Sequence, residues 1–406
     1  MGSGYGPGGG APSTLQPGVS PVPAAGLPNV ITPGSGRGVV MLAPLSGDNA
    51  ARGQALVQAA KLALGDPPAV PLDVKDTGGT PAGAAAAAQA AVTQGAVLMI
   101  GPLTSGETAA AAGPARAANI PVLAFTNDQS RAQPGVWTLG ITPAQQVRRL
   151  VGAESAEGKT RFAAVLPESD FGHAMASALV EATGEASLPQ PDVRTYSGGM
   201  AAINSVMRDI SGYATRRGPL DAQIREARSH HDAEGRKKAA DLAKEAIPPA
   251  PFDALLLADS GERLVELTSL LPYYDLNPPA VRVLGPALWA DPAARGAARL
   301  GGARYAAPDP AARSGFDAQF TAAVGNPAPG LADFAYDAGA IARVLAQGRN
   351  FSVASLCRPE GFAGVDGVLA LQPDGTVRRG LAVFEIQGGA PVMIEPAPAS
   401  FATAAI

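Results

Sequence analysis

The chain has 406 residues, more than one hydrophobic core comfortably organises, so two domains are expected. A net charge of −4 and only 16% charged residues give no electrostatic reason to expect nucleic acid or an anionic membrane as a partner. Hydrophobic residues make up 46%, a single cysteine (Cys357) excludes an internal disulfide, and no apolar run reaches the ~18 residues of a membrane span.

Residues 1–35 are rich in Gly, Pro, Ser and Ala. Such a segment cannot bury enough surface to offset its ordering entropy, so it reads as a flexible tether. In a secreted bacterial protein this is where a linker from a lipid anchor would lie. Met1-Gly2-Ser3 reads as an expression scar, and the chain as a mature or truncated form without its export signal. Order begins at Gly38. The run Val39–Leu45 is a continuous apolar strand of the kind buried on both faces of a parallel sheet. Ser46-Gly47-Asp48-Asn49 is a turn with cap residues, and residues 53–64 have helical spacing. Val70–Lys75 predicts a strand, 81–94 an alanine-rich helix, Ala96–Ile100 a strand, 107–118 a helix and Ile120–Ala124 a fourth strand. Strands alternating with helices through short connections mark an α/β protein with a doubly wound parallel sheet.

The pattern restarts near residue 143. Arg161–Leu166, Val193–Tyr196, Ala254–Leu257 and Val281–Leu284 read as strands, with helices over 172–183, 200–211 and 261–271. Residues 314–346 look helical, and Val365–Leu371 and Val383–Ile386 look like late strands around the turn Pro373-Asp374-Gly375. Two successive α/β units of similar size imply two lobes with a cleft between them. Residues 212–250 break the rhythm with eight Lys/Arg and six Asp/Glu among alanines, ended by Pro248-Pro249. They read as one or two exposed helices where a short loop would normally suffice.

The succession Ala43-Pro44-Leu45-Ser46-Gly47, Lys75-Asp76-Thr77, Ile100-Gly101-Pro102-Leu103-Thr104-Ser105, Pro121–Asn127 and Asp170-Phe171-Gly172 resembles the branched-chain amino-acid receptors of bacterial ABC importers. Asp76–Pro81, Leu270–Asp275 and Gly361–Gly367 look most like the penicillin-binding protein activators of the same superfamily, envelope lipoproteins that stimulate peptidoglycan synthases. The resemblance spans roughly residues 38–395. It implies a type I periplasmic-binding-protein fold, two doubly wound parallel-sheet lobes joined by three crossovers. Lobe one would comprise 36–142 plus 310–350, and lobe two 143–309 plus 351–396, leaving 397–406 as a tail. It also implies a periplasmic, non-enzymatic protein held to the envelope through an N-terminal lipid.

Ligands of open α/β sheets bind at the carboxyl ends of strands, where helix N-termini converge. Thr104 and Glu107 have capping-box spacing, which leaves the Ser105 hydroxyl free. The resemblance implies that Ser105 holds a ligand carboxylate, with Thr126, the backbone of Ala124 and Ser46 nearby and Phe171 packing over the ligand. The alternative is that Ser105 helps cap its own helix and Phe171 is ordinary lining or core. The receptors hold the ligand's ammonium with a glutamate in a Gly-Pro-Glu pattern, but here the chain reads Gly285-Pro286-Ala287. Asp259, at a strand end, could substitute or simply be solvated. Leaving an ammonium buried without a partner costs several kcal/mol.

His230-His231 point apart on a helix and lack a cysteine or third histidine beside them, so metal binding is not expected. His173 reads as a solvated residue at a helix start, and Cys357 as a lone structural thiol. No nucleophile elbow, phosphate loop or zinc-protease motif occurs, and no cofactor is implied. Two functions remain open: a regulator acting by contact with a peptidoglycan synthase, or a receptor that delivers an amino-acid-like ligand to an ABC permease.

Overall fold

The computed structural model describes residues 38–401. The tether expected over residues 1–35 and the end of the expected tail lie outside the described residues. Five parallel strands form the first sheet: β1 (Val39–Ala43), β2 (Leu72–Asp76), β3 (Leu98–Ile100), β4 (Val122–Ala124) and β5 (Val136–Thr138), in the order β2-β1-β3-β4-β5. The second sheet contains β6 (Phe162–Pro167), β7 (Asp192–Tyr196), β8 (Ala254–Leu257), β9 (Arg282–Gly285) and β10 (Arg304–Ala307). A third set follows as β11 (Phe362–Gly364), β12 (Gly367–Leu371) and β13 (Val377–Arg379). Finally β14 (Ala382–Gln387) and β15 (Ala390–Glu395) return to the second sheet, giving the order β15-β14-β10-β9-β8-β6-β7. The chain therefore passes between the two large sheets three times, after β5, after β10 and after β13.

Composition explains the layering. Every residue of β1, Val-Val-Met-Leu-Ala, is buried, because helices cover both faces of the sheet. One face packs Met41, Leu56, Ile100 and Trp137 against Phe316, Phe320 and Ile341; the other packs Val40, Leu42 and Met99 against the alanines of helix Pro81–Gln94. Small residues let helices sit close to the sheet. A Cβ on Gly53 would lie 1.9 Å from the Pro44 carbonyl oxygen, so only glycine lets helix Ala50–Leu64 start there. The second sheet is likewise covered on both faces, by clusters around Trp289 and Tyr305 on one side and Leu166 and Leu179 on the other.

The structure departs from the expected elements at several points. The helical stretch over 314–346 is two helices, Pro310–Val324 and Ala332–Gln347. Gly325 adopts the left-handed conformation (φ 84°) that ends the first, and Pro327 and Pro329 prevent its continuation. Strands β5, β10, β11, β13 and β15 and helix Pro143–Ala156 were not expected; β5, β10, β11 and β13, of three or four residues each, give too short a pattern. The boundary at residue 351 also moves. Phe362, Val365, Leu369, Leu371 and Val377 bury in the core of the first sheet, and Trp137 Nε1 donates to the Gln372 carbonyl at 2.7 Å. Residues 362–379 thus pack with the first sheet, and the return to the second begins at β14.

A buried ion pair fastens this third set. Arg379 and Asp337 have fully buried side chains 3.3 Å apart. Arg379 Nη2 also donates to the Leu139 carbonyl at 2.9 Å, and Asp337 Oδ1 accepts the Val365 N–H at 2.7 Å. Burial pushes the Asp337 carboxyl up to about 6 despite the neighbouring guanidinium.

The charged segment is three helices, Tyr213–Arg216, Gly218–Ser229 and Ala233–Leu242. The last two close on a small core of Ala227, Ala239 and Leu242, with Leu220 and Ile224 packed beside it. At its base Arg216 and Arg217 reach Asp275 at 3.4 and 2.6 Å, and Tyr213 enters the second core. Replacing residues 219–246 with a short Gly/Ser linker keeps that base. It should shift the unfolding midpoint by less than about 3 °C, as followed by circular dichroism. A large loss of stability would show that the hairpin belongs to the main core.

Candidate functional site

The carboxyl ends of β1, β3 and β4 open onto one cavity of about 530 Å³. It is lined by Asn49 and Arg52, by Leu103-Thr104-Ser105, by Phe125 through Asp128, and by Ile141, Leu331 and Phe334. These residues flank the first sheet or its helices; Ile141, in the crossing after β5, also packs against the second sheet's core. Its polar wall is built by the start of helix Ser105–Ala117, where the capping box forms: Thr104 accepts the Glu107 N–H, and Glu107 accepts the Thr104 N–H at 3.0 Å. Glu107 is fully buried and also accepts the Thr77 hydroxyl at 2.5 Å. Capping is therefore complete without Ser105.

The Ser105 hydroxyl is nevertheless occupied. It donates to Asp128 Oδ2, and Arg131 Nε donates to Ser105 Oγ at 2.9 Å and to Asp128 Oδ2 at 3.1 Å. The other carboxylate oxygen, Oδ1, accepts from Ser130 N at 3.0 Å and Ser130 Oγ at 2.6 Å. Thr126, 6% exposed, accepts the Asp128 N–H at 3.1 Å through its hydroxyl. Burial acts to raise the Asp128 pKa, but the hydrogen bonds from Ser105, Ser130 and Arg131 outweigh it and hold the group at about 2. The chain's own carboxylate thus sits on Ser105, where a ligand carboxylate was expected. A second carboxylate would have to displace Asp128 from both Ser105 and Arg131.

The other expected site residues are dispersed. Ala124 is fully buried in β4, its carbonyl accepts the Leu139 N–H at 2.8 Å, and it does not line the cavity. Ser46 is exposed and bonds to Asp76 rather than lining the cavity. Phe171, half-buried at the start of helix Asp170–Glu185, packs against the second sheet's core. Asp259 lies just beyond β8, where it accepts the Tyr196 hydroxyl, and its carbonyl accepts Trp289 Nε1 at 2.9 Å. Burial raises the Asp259 pKa, against the pull of the Tyr196 hydrogen bond.

Ala287 opens a short 3-10 turn, and its N–H donates to Gln146 Oε1 at 2.7 Å. The preceding Gly285 carries the Trp289 ring directly on its Cα, and a Cβ there would lie 2.4 Å from ring carbons. Gly285→Ala should destabilise the second sheet by about 1–3 kcal/mol in chemical denaturation, the usual cost of overpacking.

Asp128, Arg131, Arg52 and Phe334 were not anticipated. A signal for Asp128 existed: Asp128-Gln129-Ser130 in the loop after β4 is the pattern of an Asx turn, with Arg131 three residues on for pairing. Phe334 comes from a distant helix and left no local trace. His173 pairs with Glu168 and His230 with Glu226 at the surface. Among the described residues no group of His, Cys, Asp or Glu could hold a metal ion, and no helix is long and apolar enough to cross a membrane.

Residues 38–389 match the family described as periplasmic binding protein. No curated protein matches the sequence. Among solved structures, a putative branched-chain amino acid ABC transporter from Rhodospirillum rubrum is similar with TM-score 0.63 and 19% identity, over 88% of this chain and 99% of that one. Full-length LpoA from Haemophilus influenzae has TM-score 0.62 and 18% identity over 90% of this chain, which spans 60% of that protein's length. The LpoA C-domain from the same organism, described as a regulator of PBP1A, has TM-score 0.59 and 17% identity, over 88% of this chain and 99% of the domain. At such identities the similarity establishes the fold.

Proposed function

This chain belongs to the periplasmic binding protein family, and on that premise we propose that it regulates peptidoglycan synthesis by protein contact, as a penicillin-binding protein activator does. The observation that carries this reading is Asp128. Its carboxylate fills the place on Ser105 that an amino-acid ligand would need, and Ala287 stands where the ammonium's partner would be. A pocket that is internally neutralised suits a protein whose business lies on its surface. The likeness to the LpoA C-domain agrees with it.

In this reading the protein is non-enzymatic and its partner is a peptidoglycan synthase. The full-length protein is held at the periplasmic face of an envelope membrane by an N-terminal lipid. Residues 38–142 with 310–379 form lobe one, and 143–309 with 380–396 form lobe two. The alternative, a solute receptor for an ABC importer, draws on the cavity itself. About 530 Å³ is room for a small ligand, and Arg52, Asn49 and Thr126 give it polar walls. The deciding experiment measures glycan-strand synthesis by a purified peptidoglycan synthase of the source organism with and without this protein. Stimulation with direct binding supports the regulator. No effect on any synthase, together with tight binding of a small solute, supports the receptor.

A further inference from the structure

A second cavity of about 530 Å³ lies between helix Met200–Ile210, the charged insertion and the turn after helix Gly261–Leu270. Its walls are Asn204, Arg208, Tyr213, Arg225, Tyr273 and Tyr274, with Ala214 and Gly218. The tyrosines hold one another rigidly. Tyr273 stacks on Tyr213 at 6.3 Å and 12° and meets Tyr274 edge-on at 4.9 Å. Tyr274 is 2% exposed and its hydroxyl donates to Asn204 Oδ1 at 2.8 Å; the Tyr213 hydroxyl donates to Asp221. Yet Tyr273 leaves 59% of its surface in solvent. A large aromatic side chain fixed in place and left open can be covered at little entropic cost.

The charges point the same way. The Arg208 guanidinium lies 5.1 Å over the Tyr213 ring, and neither Arg208 nor Arg225 has a carboxylate partner among the described residues. Of the nearby carboxylates, Asp221 is held by Tyr213 and Arg217 and Asp275 by Arg216 and Arg217, while Asp209, next to Arg208 in the chain, lies outside the cavity's lining. No Asp or Glu lines the cavity. A protein of net charge −4 thus presents two unneutralised guanidiniums beside a rigid tyrosine cluster. Tyrosine and arginine are the residue types that dominate binding hot spots, and a free guanidinium fork matches a carboxylate.

We propose that this cavity is a docking site for a carboxylate-bearing segment of a partner polypeptide, whose acidic side chain lies between Arg208 and Arg225 and whose neighbouring apolar or aromatic side chain covers Tyr273. The insertion exists, on this account, to supply one wall of the site. The proposal rests on the protein-contact reading for its biological setting, but its binding chemistry is tested separately.

The probe is a phage-displayed random dodecapeptide library, panned on the whole protein and counter-selected on the Arg208→Glu/Arg225→Glu variant. Both positions are exposed, so the variant should retain its unfolding midpoint. Expected are peptides with Asp or Glu next to an apolar or aromatic residue. Resynthesised, they should bind at least tenfold more weakly to the double variant and to Tyr273→Ser, and more weakly as salt rises. Selection of no site-dependent peptide, or of neutral or basic ones, overturns the proposal. So does equal binding to the variants. A synthase that is stimulated as well by the double variant as by the native protein also overturns it, while leaving the regulatory reading intact. Failure of the native protein to stimulate any synthase removes that reading and leaves the docking chemistry to the peptide result.

Discussion

Arg379→Met should cost about 3–5 kcal/mol of stability at pH 7. The guanidinium is fully buried and its partner Asp337 is equally buried, so removing one strands the other. Methionine keeps much of the volume, so packing loss is a small part of the effect. The pH dependence separates the stranded charge from a simple cavity. Burial already raises the Asp337 pKa to about 6 with Arg379 present. A carboxyl raised in this way contributes stability that is fully present below its unfolded value and is lost as pH rises through its folded value. Without Arg379 the folded pKa climbs further, so the deficit of Arg379→Met should shrink between pH 7 and pH 5. Urea unfolding at both pH values measures it. An equal deficit at both would mean that the pair's charge is not what holds β11–β13 on the first core.

Asp128→Ala should change what the first cavity accepts. It vacates the space beside Ser105 Oγ and frees Arg131 Nε, two groups that now hold the side-chain carboxylate. A small carboxylate such as acetate should then bind where none does in the native protein. Combining it with Ala287→Glu supplies a partner for an ammonium as well. The double variant should bind leucine at least tens of times more tightly than the native chain, since a charge-assisted hydrogen bond contributes about 1.5–3 kcal/mol. Calorimetry on the single and double variants gives both results. The native carboxylate's own contribution to stability, from its depressed pKa, should be present above pH ~4 and lost as pH falls through about 2.

The fold was open to reading because its strands announce themselves. Val39–Ala43, Phe162–Leu166 and Ala254–Leu257 are apolar without interruption, and each is followed by a cap and a helical stretch. What escaped were features decided at a distance. The set β11–β13 has no local sign of which core it joins; Trp137 and the Asp337–Arg379 pair decide that. The capping box at Thr104 and Glu107 follows from spacing alone and forms as expected. The occupant of Ser105 does not, because it depends on the path of the loop after β4. The surface cavity at Tyr273 could be suspected from neither the insertion's charges nor the pair Tyr273-Tyr274, since its walls come from three separate segments. The insertion's helical character was legible from its alanines, while the direction in which it folds back was not.

The central claim is that Asp128 occupies the place on Ser105 that an amino-acid ligand would need. Titration calorimetry of the native protein with free leucine and the other standard amino acids tests it most directly. The account predicts no detectable binding of any of them up to millimolar concentration. Sub-micromolar binding of leucine, with its carboxylate on Ser105 and Asp128 displaced in the complex, would contradict it.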